Sequence, residues 1–355
     1  MSAPIEISPE PIKLPPVVKP GEFIFAASHL DHGHIYGQVG GLLEAGGTLR
    51  YVYDTDPARA EGFQKKFPQA RIVDSFDRIL DDKDVRLVAS AAIPCDRGPL
   101  GVRVMQSGKD YFTDKTPFTS LDQLAEARKV AAQTGRKYMV YYSERLHSEC
   151  SIFAGNLIRD GVIGRVLQVL GLGPHRLNAP SRPAWFFSRA RANGILADIG
   201  SHQIEQFLHF TGAKDATILH AAAGNFSHKE YPEFEDFGEA NLIADNGALN
   251  YFRVDWFTPE GLSAWGDGRA IIVGAKGTIE LRKVIDIGHG GGDQVYLVTS
   301  EREQHLSVNQ RVGCPFFGEL ILDCLNRTEK AMTQAHAFKA AELCLKAQEQ
   351  ARLIG

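Results

Sequence analysis

The chain has 355 residues, enough for about two domains and for a core that needs neither disulfides nor a structural metal. Apolar residues make up 44% and charged residues 23%, which excludes a disordered, collagenous or coiled-coil chain. Lys plus Arg is 39 against 43 for Asp plus Glu, and the resulting −4 provides no bulk attraction to nucleic acid or to an anionic membrane.

Residues 1–20 hold six prolines: Pro4, Pro9, Pro11, Pro15, Pro16 and Pro20. Such a stretch favours an extended arm of about 60 Å, either loose or lying across a neighbouring subunit. Next come a strand (Phe23 to Ala27), a helix (Gly37 to Ala45) ended by Gly46-Gly47, and a second strand (Leu49 to Tyr53). Asp56-Pro57 starts a helix, the acid as cap and the proline in its first turn. Helix Phe76 to Leu80, strand Val85 to Ala92, helix Pro99 to Ser107, strand Tyr111 to Thr113, helix Leu121 to Thr134 and strand Lys137 to Tyr142 follow. Strands alternating with helices predict an α/β unit, a doubly wound parallel sheet of Rossmann type.

After about residue 150 the pattern changes. A helix over Ser151 to Asp160 leads to strands at Arg165 to Leu172, Ala216 to Gly224, Phe237 to Ala244, Gly247 to Phe257, Ala270 to Val273, Thr278 to Arg282 and Gln294 to Thr299. Asp245-Asn246-Gly247 is a hairpin signal. An α+β domain with a large, mostly antiparallel open sheet is expected, closed by a helix over Glu329 to Leu353 with a break near Ala335-His336. The expected domains are a proline-rich arm (1–20), a dinucleotide-binding domain (21–143) and a substrate-binding α+β domain (144–355). Cys95, Cys150, Cys314, Cys324 and Cys344 include no C-x-x-C pair, which predicts reduced thiols in a reducing compartment. No apolar run approaches the roughly 18 residues that cross a bilayer, and no secretory signal pattern opens the chain. The expectation is a cytoplasmic protein with no membrane or nucleic-acid partner.

A dinucleotide fingerprint needs glycines after the first strand, so that backbone can approach a pyrophosphate. Taking Gly33 as the third glycine puts Ser28 and Leu30 where the first two belong, and Asp31 adds repulsion. Context supports the site: Asp54 ends the second strand, where a carboxylate can accept both ribose hydroxyls and repel a 2′-phosphate. That favours NAD over NADP. His29, His32 and His34 crowd the same loop. No nearby Cys or Glu completes a metal set, so no metal is expected and the histidines read as pyrophosphate donors or surface groups.

Two further motifs carry chemistry. Lys115 follows a predicted strand, in Asp114-Lys115-Thr116-Pro117, and so points to the cleft beyond the strand carboxyl ends. Asp198 and His202 are four apart, and one helix would place them about 5–6 Å apart on a single face. A cap and a core histidine remain the alternative.

Together these segments resemble the Gfo/Idh/MocA oxidoreductases, typified by glucose–fructose oxidoreductase and inositol dehydrogenase. Asp114-Lys115-Thr116-Pro117 is similar to the family's E-K-P motif, with Asp for Glu and a Thr inserted. Residues Asn193 to His202 are similar to G-G-x-x-x-D-x-G-x-H, and Ile158 to Gly164 to I-x-x-G-x-I-G. The glycine fingerprint departs from the family pattern, and Gly98 stands where a histidine is usual after Ile93-Pro94-Cys95-Asp96-Arg97. The resemblance implies hydride transfer between nicotinamide and a carbinol carbon of a sugar, sugar derivative or polyol. It implies His202 as base, Asp198 as its orienting partner and Lys115 as stabiliser of the alkoxide, converging on one hydroxyl. Ser28, His32, Gly33, His34, Asp54, Pro94, Asp114 and Lys115 would hold the cofactor. His175, Arg176, Asn178, Arg182 and Trp185 form the expected substrate loop, with Tyr142, Glu144 and Arg145 as candidates for the same cleft; a structural loop is the alternative. A homo-oligomer, dimer or tetramer, is also implied. The competing functions are glycoside cleavage through transient redox and a non-catalytic sugar or dinucleotide sensor.

Overall fold

The structure, a computed structural model, describes residues 5–355; Pro4 of the arm lies outside them. The chain divides into two compact units. One comprises Leu14–Tyr141 and Pro315–Phe338; the other comprises Tyr142–Cys314, Lys339–Gly355 and the residues up to Lys13. Pro315–Phe338, expected in the second domain, therefore packs with the first unit.

The first unit runs β1 (Ile24–Ser28), α1 (His34–Glu44), β2 (Thr48–Tyr53), α2 (Pro57–Lys66), β3 (Arg71–Ile72), α3 (Asp77–Asp81), β4 (Val85–Ser90), α4 (Pro94–Gln106), β5 (Asp110–Asp114), α5 (Leu121–Thr134) and β6 (Tyr138–Tyr141). Its six strands pair in the order β3-β2-β1-β4-β5-β6, all parallel. This is the doubly wound order whose crevice lies beyond the carboxyl ends of the strands. Strands β1, β5 and β6 are buried throughout, as helices on both faces require. As predicted, Asp56 caps α2, accepting from the Ala58 amide at 2.9 Å. Helix α4 begins five residues earlier than expected, with Pro94 in its first turn and Pro99 inside it. Pro99 has no amide to give the Cys95 carbonyl, and Gln123 Nε2 takes that acceptor at 3.0 Å.

In the second unit, α6 (Ser143–Leu146) and α7 (Glu149–Arg159) precede β7 (Val166–Pro174), followed by α8 (Arg189–Ala192), α9 (Ile195–Asp198) and α10 (Gly200–Thr211). The strands β8 (Ala216–Gly224), β9 (Phe237–Ala244), β10 (Leu249–Asp255), β11 (Arg269–Gly274), β12 (Gly277–Arg282), β13 (Gln294–Thr299) and β14 (Glu303–Ser307) come next. Helices α11 (Phe316–Asn326) and α12 (Gln334–Gln350) and strand β15 (Arg352–Ile354) end the chain. The nine-stranded order is β14-β13-β12-β11-β7-β10-β9-β8-β15, antiparallel except at β10/β7 and β15/β8. The Asp245-Asn246-Gly247 turn joins β9 to β10, with Gly247 at φ +82. Helix α10 buries Ile204, Phe207 and Leu208, and it lies close to β7 because Gly171 leaves room for Gln203.

Three expectations change. The single closing helix is α12 alone, and α11 ahead of it was not expected. The break expected near Ala335-His336 is absent, since both lie inside α12; the chain is non-helical earlier, where Asp323 on α11 accepts the amides of Lys330 at 2.9 Å and Ala331 at 2.8 Å. Strands β3, β14 and β15 were also missed. From Ile5 onward the arm contacts its own chain: Ile5 pairs twice with Gln304 at 3.1 Å, and the Val17 amide meets the Ala45 carbonyl at 2.9 Å. None of the five cysteines is in a disulfide among the described residues. Among the described residues no helix is long and apolar enough to cross a membrane.

Candidate active site

The loop after β1 is held by side chains where glycines usually serve. His29 adopts φ +52, which turns its ring inward against Tyr53 and Phe76. Asp54 Oδ2 accepts the Leu30 amide at 2.6 Å. Asp54 Oδ1 takes the Asp56 amide at 2.7 Å, Arg59 Nε at 3.0 Å and Arg59 Nη2 at 2.7 Å. Arg59 Nη2 also reaches Asp31 at 3.2 Å, offsetting the charge that counted against this loop. A carboxylate offers about four lone pairs, so Oδ2 retains room for one further donor. The Asp54 carboxylate is thus largely occupied by its own chain, with Oδ2 the freer oxygen. A Cβ at Gly33 would meet nothing within 4 Å, so the protein's own packing leaves this point open. The buried Ser28 Oγ at the end of β1 has no hydrogen-bond partner among the described residues either. Both features fit a dinucleotide phosphate.

Asp114 ends β5 with its side chain fully buried. Its Oδ1 accepts the Lys115 amide at 2.8 Å and meets His34 Nδ1 at 2.8 Å. Its Oδ2 meets His32 Nδ1 at 2.8 Å and Arg97 Nη2 at 3.2 Å. Burial raises the Asp114 pKa, but His34, Arg97 and His32 outweigh it and hold the acid well below the usual range. Sequence reasoning missed Arg97. It is 1% exposed and donates to the carbonyls of Ala92 at 2.6 Å and Thr116 at 3.0 Å, and to that of Lys115. Arg97 thus shapes the whole turn that presents Lys115. In the sequence Arg97 stands beside Asp96 in the first turns of a helix that also carries Arg103, so nothing local marks it as the buried one. His32 and His34 do not act as the expected free donors, since each aims Nδ1 at Asp114. Pro94 sits in the first turn of α4 and is buried.

In the second unit, Asp198 and His202 do not share a helix: Asp198 ends α9, and His202 lies in the first turn of α10, 2% exposed. Glu144, just past β6, is the buried acid of this region. Lys283 Nζ lies 2.8 Å from its Oε2, Gln203 Nε2 donates to the same oxygen at 3.2 Å, and His175 Nε2 is 4.0 Å from Oε1. Burial raises the Glu144 pKa, but Lys283, His202 and His175 pull it well below the usual range. Arg145 forms a fork with Glu205 at 2.7 and 2.9 Å. Lys283, 139 residues from Glu144, was not singled out in the sequence.

The expected substrate loop is partly structural. Arg176 donates to the Pro259 carbonyl at 3.0 Å and to that of Leu262 at 2.5 Å. Arg182 donates to the Leu177 carbonyl at 2.8 Å and lies over the Phe186 and Trp256 rings at 4.7 and 5.3 Å. Asn178 takes φ +49 ahead of a single 3-10 turn. His175 packs its ring 4.5 Å from Trp265, and Trp185 is half-buried. Trp256 is core, 6% exposed, and Trp265 is surface, 49% exposed. A small cavity of about 20 Å³, near the size of one water site, is lined by Asn193, Asp198, Glu235 and Trp256 among others.

Comparison with known proteins fits both halves. Residues 29–142 match the model of the oxidoreductase family with an NAD-binding Rossmann fold, and residues 153–280 match the GFO/IDH/MocA C-terminal domain. The chain belongs to the Gfo/Idh/MocA oxidoreductase family. A provisionally assigned oxidoreductase of known structure from Erwinia carotovora atroseptica SCRI1043 is 46% identical, with a TM-score of 0.92 over 94% of this chain and 100% of that one. Among curated Gfo/Idh/MocA relatives, scyllo-inositol 2-dehydrogenase (NADP(+)) of Bacillus subtilis is 24% identical over 54% of each chain. D-xylose dehydrogenase of Paenarthrobacter nicotinovorans is 22% identical over 41% of this chain and 38% of its own. The chain spans about half the length of these curated relatives, or less.

Proposed function

We propose that the chain is a dehydrogenase that moves hydride between nicotinamide and a carbinol carbon of a sugar, sugar derivative or polyol. The observation that carries this is a parallel 3-2-1-4-5-6 sheet with Lys115 at the carboxyl end of β5, in a chain that also carries Asp198 and His202 at the family's motif positions. The curated relatives act, by name, on an inositol and on xylose, which supports a polyhydroxylated substrate. Ser28, Gly33 and Asp54 would hold the dinucleotide, with Asp54 on one ribose hydroxyl. Asp31, Asp54 and Asp56 outnumber Arg59, which favours NAD although the Bacillus relative uses NADP(+). The nicotinamide, when bound, accepts the hydride. His202 takes the hydroxyl proton, since imidazole titrates near neutrality. Asp198 orients and balances it, and Lys115 stabilises the developing alkoxide.

The glycine-poor loop favours one other reading, a dinucleotide-binding sensor without turnover. One experiment separates them: a panel of sugars and polyols with NAD or NADP, followed by nicotinamide absorbance. Turnover is expected, and His202→Ala should lower it about 10²–10⁴-fold with dinucleotide affinity unchanged. Full activity in that variant removes His202 from its role. Binding without turnover across the panel selects the sensor.

A further inference from the structure

The loop that replaces the glycine fingerprint reads His32-Gly33-His34, and the fold brings Asp114 to it from 80 residues away. His34 Nδ1 and His32 Nδ1 each lie 2.8 Å from a different oxygen of the one Asp114 carboxylate, and the ligand atoms of all three residues fall within 4.8 Å of one another. The two rings stand edge to face at 4.3 Å. His34 Nδ1 is hydrogen-bonded to Oδ1, His32 Nδ1 faces Oδ2, and the three side chains thus bring ligand-type atoms from two loops to one place. Arg97 Nη2 at 3.2 Å and the Lys115 amide at 2.8 Å fix the carboxylate from behind, as outer partners fix a ligand.

We propose that His32, His34 and Asp114 bind a divalent first-row transition ion, with coordination positions left open for phosphate oxygens. The ligand atoms lie within 4.8 Å of one another, so small ring rotations bring two imidazole nitrogens and a carboxylate oxygen onto one ion. Two histidines and one carboxylate on one side of such an ion leave positions open on the other. Manganese, iron or cobalt therefore suits the set better than a closed structural zinc. The Gly33 backbone between the two histidines carries no side chain to cover those positions, and no atom meets a Cβ built there. A bound ion would add positive charge to a loop that has lost the first two glycines of the fingerprint and gained Asp31. The phosphate half of the proposal rests on the dinucleotide reading above; the ion half does not. The sequence alone argued against a metal here because only local residues were counted, and Asp114 is not local.

The test uses the full chain, stripped with chelator and titrated calorimetrically with Mn²⁺, Co²⁺ and Zn²⁺ in the absence of dinucleotide. One ion per chain is expected, weakened about tenfold or more in His34→Ala and again in His32→Ala. Circular dichroism and thermal melting of both variants confirm that they fold. No saturable binding by the wild type, or equal binding by folded variants, overturns the site. NADH and NADPH affinities are then measured on stripped and loaded protein. Tighter binding to the loaded form, with the difference lost in His34→Ala, supports the phosphate role, and equal binding overturns it. Sugar oxidation by stripped protein leaves the dehydrogenase standing while removing this role. One ion bound with neither NADH nor NADPH bound in either state supports the ion site and overturns the dehydrogenase.

Discussion

Asp114 and Glu144 are two buried carboxylates, each just past the end of a parallel strand, and the chain treats them differently. Asp114 is held by a guanidinium that also binds three carbonyls, by the Lys115 amide and by two imidazoles. Glu144 is held by one ammonium and one amide, with Lys283 only 2% exposed at the side chain. The first arrangement organises backbone as well as charge. The second balances charge alone, beside His175 and His202. A buried acid thus serves to shape a turn in one unit and to set the electrostatics around an imidazole in the other.

That contrast can be broken most severely at Arg97. Arg97→Met strands Asp114 and releases the carbonyls of Ala92, Lys115 and Thr116, and should cost about 3–5 kcal/mol or more in urea denaturation. Lys283→Met strands Glu144 without touching backbone, and should fall at the lower end of about 3–5 kcal/mol. Adding Glu144→Gln to it should restore much of that loss, because the uncompensated charge is gone; adding Asp114→Asn to Arg97→Met should restore less. Equal rescue in the two pairs would erase the distinction drawn here. pH provides a gentler probe. The Glu144 pKa is depressed in the folded chain, so its stabilising contribution is complete above the ordinary carboxylate range, about 4.3, and fades as pH falls below it. Glu144→Gln should melt with a shallower acid dependence than wild type over that window. The smallest effect belongs to a site outside both clusters: Asp56→Ala removes the α2 cap and should cost about 1 kcal/mol in urea denaturation.

Much of the first unit was legible because its signals are local. The cap at Asp56, the Gly46-Gly47 stop and the alternation of apolar runs each report on a few neighbouring residues, and strands β1, β2, β4, β5 and β6 fall within a residue or two of expectation. In the second unit the Asp245-Asn246-Gly247 turn sets β9 against β10 for the same reason. The failures share the opposite property. Strand β15 exists because β8 offers a free edge, and β3 is two residues borrowed by β2. The non-helical stretch ahead of α12 is held by Asp323, which lies on another helix. At the candidate site, Lys115 and the Asp198–His202 segment were visible as motifs, yet the division between α9 and α10 was not, because i,i+4 spacing assumes an unbroken helix.

By itself the sequence determined the alternation of elements, the class of each sheet and the motif positions, since backbone propensity, turn chemistry and apolar period act over a few residues. Only the tertiary structure decided which charges meet. His34 and Asp114 are separated by 80 residues and Glu144 and Lys283 by 139, and burial of a charge obliges it to find an opposite partner wherever the fold supplies one.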